Sequence, residues 1–172
     1  DKAVKYMLDG KTVVCFGDSI FGKNDEDTGL CKQIAKNTNA IVINVAFGGT
    51  RMTDRGNTDS GFDQFDFPKL SASVVSKDWS GQENGLTFSG IPSYYASRLE
   101  TLKNIDFSKV DIITFNYGTN DYTGYGDIRE EYKTEMINCI SRLQSAYQHI
   151  KFIAISPTWR LWYESDGIYL ED

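Results

Sequence analysis

Histidine occurs once in these 172 residues and cysteine three times, and the two scarcities remove whole kinds of chemistry at the outset. Cys15, Cys31 and Cys139 show no CxxC spacing, so there is neither a disulfide framework nor a Cys/His zinc cluster. Each lies in a stretch that reads as strand or helix interior, where cysteine behaves as a small buried hydrophobe. Positive charge is also short: the net charge is -6 and the sequence pI about 4.8, which gives no electrostatic footprint for a phosphate backbone or an anionic membrane. Nucleic acid and membrane are therefore not expected as partners, and nothing calls for a metal or another cofactor. No apolar run approaches the ~18 residues of a membrane span, no charged-then-apolar leader is visible, and no internal repeat or low-complexity tract interrupts the chain. The sequence opens at Asp1 rather than Met, which allows for a leader or upstream domain; secretion, a cell surface or a virion would all fit.

What is present is one domain's worth of chain with an ordinary globular balance, 40% hydrophobic and 24% charged. Aromatics reach 13%, many in stretches that read as loops, which hints at a binding rim. Residues 1–10 form a polar lead-in. A β-branched run over 12–16 predicts a buried strand, broken by Gly17-Asp18-Ser19. Leu30, Cys31, Ile34 and Ala35 recur at helical spacing, and residues 41–45 predict a second strand that runs into Gly48-Gly49. Residues 51–92 read as an irregular insertion in which only 68–75 suggests a helix. Further helices are expected over 92–104 and 127–149, the latter opened by Asp127 and Glu130 in the manner of a capping box. Strands at 110–115 and 150–155 complete the pattern. This alternation predicts a single α/β domain over 1–172, three layers deep, with a parallel, doubly wound, flavodoxin-like sheet in the order 2-1-3-4.

Three of the four strands end in loops with matched chemistry: Gly17-Asp18-Ser19, Gly48-Gly49 and Gly118-Thr119-Asn120-Asp121. Acyl transfer needs such convergence, a hydroxyl to attack and donors aimed at the oxygen that becomes negative. Each block also has a bland reading, since Gly-Asp-Ser is ordinary turn chemistry and a loop glycine or asparagine commonly serves a turn or cap.

Together with Asn44-Val45-Ala46-Phe47 before the glycines, these blocks resemble the SGNH, or GDSL-type, hydrolase superfamily from residue 11 onward. The resemblance implies a serine ester hydrolase with Ser19 as nucleophile. Its own N–H, the N–H of Gly49 and the side chain of Asn120 would form the oxyanion hole, with Gly48 as an alternative to Gly49. One family feature is missing: no Asp-x-x-His motif follows. His149 stands just before the last strand, roughly 16 Å from the Ser19 edge at ~3.3 Å per strand residue. The expectation is a chain cut before that motif, inactive by itself, with the missing segment or another chain completing the sheet. Asp18, Arg51, Trp159 and Arg160 are the candidate substrate contacts, aromatics for stacking on a sugar and arginines for an anion. A small acyl ester, an O-acetyl group on a carbohydrate first of all, is the expected substrate. The competing reading is an SGNH-fold binding or structural module of a larger surface or phage tail protein.

Overall fold

A computed structural model describes residues 7–22, 25–58, 60–121 and 128–156, together with the backbone of two further strands at 161–164 and 167–170. In chain order the elements are β1 (Thr12–Gly17), α1 (Ser19–Gly22), α2 (Leu30–Thr38), β2 (Ile41–Asn44), a 3-10 turn (Phe62–Phe65), α3 (Phe67–Ser76), α4 (Ser80–Gly85) and α5 (Tyr94–Lys103). After a second 3-10 turn (Phe107–Lys109) come β3 (Ile112–Asn116), α6 (Arg129–Ala146), β4 (Lys151–Ile155), β5 (Leu161–Glu164) and β6 (Gly167–Leu170).

The first four strands form one all-parallel sheet in the order β2-β1-β3-β4, as the alternation predicted. β1 is central, and its alternate residues divide the core. Val14 and Phe16 join Ile113 and Phe115 on the face covered by α3, α5 and α6, where Leu70, Tyr95, Leu99, Cys139 and Leu143 are buried. Val13 and Cys15 face the other way, with Ile112 and with Cys31 of α2. Period-two alternation in a strand buried on both faces leaves no polar position, which is why β1 reads as a continuous apolar run.

α6 carries its expected stripe, with Tyr132, Met136, Ile140 and Tyr147 packed on the core beside buried Leu143. The structure begins this helix at Arg129 with Ile128 before it; Asp127 lies outside the described residues. Among the described residues β4 pairs only with β3, and on the outer face Ile153 and Ile155 stay 46% and 39% exposed.

Within 51–92 a 3-10 turn and α4 accompany the one expected helix, α3. Several polar residues of the stretch bind one another within it. Buried Asp63 accepts from Thr58 at 2.7 Å, Gln64 at 2.6 Å and Lys69 at 3.1 Å, and Lys69 also holds the Gly56 carbonyl at 2.7 Å. At the C-terminal end Trp162 and Tyr163 belong to β5, which pairs antiparallel with β6 as a separate hairpin. Ser165-Asp166-Gly167 between two aromatic runs is the sequence signal for it.

The three cysteines are buried and free. The hydrogen bond with the neighbouring Cys31 thiol, and then burial, drive the Cys15 thiol far above its ordinary value, and burial pushes Cys139 up to about 11. Thiolate is the reactive form. Iodoacetamide at pH 8 should therefore leave Cys15 and Cys139 unmodified in the native protein and alkylate all three cysteines in urea. Peptide mass mapping checks this, and native alkylation of Cys15 or Cys139 would contradict the placement.

Candidate active site

The loops after β1, β2 and β3 meet at the carboxyl edge of the sheet. β1 hands the chain directly into α1, so Ser19 is its first residue, half-buried and one step beyond Asp18. The turn is closed by backbone: Asp18 N–H donates to the Asn116 carbonyl of β3 at 3.1 Å, and Gly22 N–H to the Asp18 carbonyl at 2.8 Å. Asp18 is wholly buried. One carboxylate oxygen accepts the Ile20 N–H at 2.8 Å. Burial lifts its pKa above the ordinary value against the Ile20 bond, with Asp121 nearby raising it and the Thr119 hydroxyl lowering it. Asp18 thus spends one oxygen on the turn beneath Ser19, while its Oδ2 is buried with no hydrogen-bond partner among the described residues.

Gly48 lies against the serine. A Cβ on Gly48 would stand 3.4 Å from Ser19 Cβ and 2.9 Å from the Tyr94 hydroxyl. The loop that follows has φ +86° at Gly49, a region open to glycine at little cost. From Gly48 to Thr53 most polar backbone groups are engaged, the N–H groups of Gly49 and Thr50 being two exceptions among the described residues. Gly48 N–H donates to the Tyr94 hydroxyl at 2.8 Å, and the Tyr95 hydroxyl donates to the Gly48 carbonyl. Arg55 holds the Gly49 carbonyl at 2.8 Å, and Asn120 Nδ2 holds the Thr50 carbonyl at 3.0 Å. Arg51 N–H reaches Asp66 at 2.9 Å, while Met52 and Thr53 N–H groups reach the two oxygens of Asp121 at 3.0 and 2.7 Å. Among the described residues the Gly49 N–H has no protein acceptor, and neither has the Ser19 hydroxyl.

Arg55 and Asp66 form the ionic support under this loop. Two guanidinium nitrogens contact the carboxylate at 2.8 Å each, and Asp66 is wholly buried. Arg51 is half-buried; its backbone is tied to Asp66 and to Phe67, and its Nε is buried without an acceptor among the described residues. Trp159 and Arg160 lie outside the described residues.

The structure therefore brings Ser19 beside Gly48, and it ties Asn120 to the same loop through Thr50. Asp121, Arg55, Asp66, Tyr94 and Tyr95 were missed by sequence reasoning as parts of this site. The two tyrosines carry a faint signal, since a buried phenol needs a partner for its hydroxyl. His149 is exposed at the other end of the sheet, where it and Lys11 hold down the pKa of Asp111, the Lys11 contact foremost. The described residues contain no group of three or more acidic, histidine or cysteine side chains able to hold a metal ion, and no helix among them is long and apolar enough to cross a membrane.

No family model matches the sequence, and no curated protein matches it. Solved structures do. A family two carbohydrate esterase from Clostridium thermocellum in complex with cellohexaose aligns over 85% of this chain and 42% of its own, with a TM-score of 0.51 at 18% identity. An active-site mutant of a family two carbohydrate esterase from the same organism aligns over 84% and 42%, again with a TM-score of 0.51 at 18% identity. The chain thus has the SGNH-like α/β fold of these carbohydrate esterase structures and spans 42% of their length.

The Asp66 carboxyl gives a test of the support under the loop. Its burial outweighs the Arg55 contacts and raises its pKa to about 6. A raised acid binds its proton more tightly folded than unfolded, so its contribution is fully present below the unfolded pKa near 3.8 and is lost as pH rises through about 6. Relative to Asp66→Asn, the wild type should lose on the order of 3 kcal/mol of unfolding free energy between pH 4 and pH 7. Urea titrations of both proteins across that range measure it, and a flat difference would refute the assignment.

Proposed function

We propose that this protein is a serine ester hydrolase that removes small acyl groups, with O-acetylated carbohydrate as its substrate class. The observation that carries the reading is the loop over 48–53, in which the Gly49 N–H, next to the Ser19 segment, has no acceptor among the described residues while the N–H groups of Gly48, Arg51, Met52 and Thr53 are all taken. Ser19 Oγ attacks the acyl carbon. The carbonyl oxygen takes up the negative charge and is met by the N–H groups of Ser19 and Gly49 and by the second amide hydrogen of Asn120, whose first is spent on Thr50. Because Tyr94 already accepts the Gly48 N–H, Gly49 rather than Gly48 is the donor. The structural neighbour that holds cellohexaose supports a saccharide as the group carrying the ester.

One observation favours a second reading, a binding or structural module that keeps the pocket without the chemistry. The single histidine stands at the far end of the sheet, so no histidine of this chain takes the Ser19 proton. Water must then accept it, and turnover by these 172 residues alone is expected to be slow. An oxyanion hole without its base still leaves ~10³–10⁴-fold acceleration over water.

Both readings are settled by one set of assays on 4-nitrophenyl acetate and acetylated xylan. Ser19→Ala should reduce hydrolysis to the buffer rate. Asn120→Ala should lower kcat by about 10²–10³-fold, roughly 2.7–4 kcal/mol of transition-state stabilisation. Turnover unaffected by Ser19→Ala would remove the nucleophile. Saccharide binding by calorimetry with no Ser19-dependent turnover at all would establish the module.

A further inference from the structure

The peptide that joins Gly48 to Gly49 is anchored at one point only. Its neighbour on the N-terminal side is held at both ends: the Thr50 hydroxyl donates to the Phe47 carbonyl at 2.6 Å, and the Gly48 N–H donates to Tyr94. Its neighbour on the C-terminal side has its Gly49 carbonyl held by Arg55. The middle peptide carries the Gly49 N–H at one end, open, and the Gly48 carbonyl at the other, where the Tyr95 hydroxyl donates to it. Between two glycines no side chain resists rotation of that plane, so an external anchor must fix it. A trans peptide is flat, with its C=O and N–H pointing in opposite directions. Whatever holds the carbonyl therefore aims the N–H.

We propose that Tyr95 is a positioning residue for the oxyanion hole: by donating to the Gly48 carbonyl it turns the Gly49 N–H outward, away from the core, to where the developing oxyanion sits. This rests on the reading of Gly49 as an oxyanion donor. Tyr95 suits the task because its ring cannot move. It is wholly buried and meets Phe65 at 4.8 Å, Phe47 at 4.9 Å, Tyr94 at 5.1 Å and Phe62 at 5.9 Å between centroids, all edge-on. Rotation about χ1 or χ2 would have to displace four aromatic rings at once. The hydroxyl is thereby a fixed donor in a dry setting, which is the requirement for a preorganised electrostatic site.

Tyr95→Phe tests this with the least disturbance, since the ring and its four neighbours remain and a single oxygen is removed. Two readouts on the same protein separate the geometry from the chemistry. In spectra of protein labelled with [15N]glycine, the Gly49 amide peak should shift or broaden in Tyr95→Phe. Those of Gly10, Gly56 and Gly90, whose Cα positions face open space, should stay in place. With 4-nitrophenyl acetate, kcat should fall by about tenfold or more, approaching the ~10²-fold that follows outright loss of one oxyanion donor, while KM is unchanged. An unmoved Gly49 peak overturns the proposal whatever the activity. A shifted peak with unchanged kcat, in a protein whose turnover Ser19→Ala abolishes, overturns it also. A shifted peak in a protein with no Ser19-dependent turnover upholds the orienting role of Tyr95 and rejects the esterase reading instead.

Discussion

A carboxylate taken out of water has to be answered by donors, and in this fold two such groups organise the site. Asp66 and Asp121 are both buried, and between them they take the backbone N–H groups of Arg51, Met52 and Thr53, one after another in the chain. Each such bond to a charged acceptor is worth roughly 1.5–3 kcal/mol, and each N–H left behind in a dry site would cost a comparable amount. The segment can therefore hold few other conformations. Asp121 belongs to the loop after β3 and Asp66 to the start of α3, so the same contacts that shape the loop after β2 also lock it to its neighbours. The arrangement of Ser19, Gly49 and Asn120 follows from that lock. None of the three has a direct bond to another among the described residues, and their mutual placement is inherited from the acids beneath them.

This explains what was legible in the sequence and what was not. The four parallel strands and their order could be read from the apolar runs Val13 to Phe16, Ile41 to Val45, Ile112 to Phe115 and Phe152 to Ile155; β1 and β3 must be apolar throughout because both their faces are buried, whereas the edge strands β2 and β4 stay partly exposed. The three loop motifs could be read because glycine and asparagine at strand ends are locally distinctive. The stretch 51–92 could not. Its aspartates, lysine and arginine look like solvated loop residues, and only the fold shows that Asp63, Asp66 and Arg55 are turned inward on one another and on backbone. The partners of Asp121 lie 68 and 69 residues away in sequence, and local pattern carries no trace of a contact at that distance. Tyr95 reads simply as an apolar member of the α5 stripe, since periodicity registers the ring and is silent about the hydroxyl.

Asp18 is a different case, a residue whose motif membership suggested a role at the substrate and one of whose oxygens is spent on the turn beneath Ser19. Its backbone joins β1 to β3 through Asn116, and its carboxylate turns back on the Ile20 N–H and toward Thr119. Asp18 thereby ties the end of β1, beside Ser19, to the end of β3.

The three buried acids also bear on the chemistry. Asp18, Asp66 and Asp121 all raise the pKa of the wholly buried Tyr117 phenol, after burial itself, so their fields converge beneath the site. Unscreened, such a field would oppose a developing oxyanion, because like charges in a medium of low dielectric repel strongly. The structure counters it in different ways. Asp66 is matched by the Arg55 guanidinium, Asp121 by two N–H dipoles, and Asp18 by the Ile20 N–H. All three acids are buried, and Asp66 and Asp121 are committed to scaffold donors through both oxygens, whereas Asp18 Oδ2 has no hydrogen-bond partner among the described residues. The proposed oxyanion hole would be separable from the proton transfer that completes it: its donors would be held by backbone geometry fixed on these acids, and the proton would leave to solvent or to a group beyond these loops.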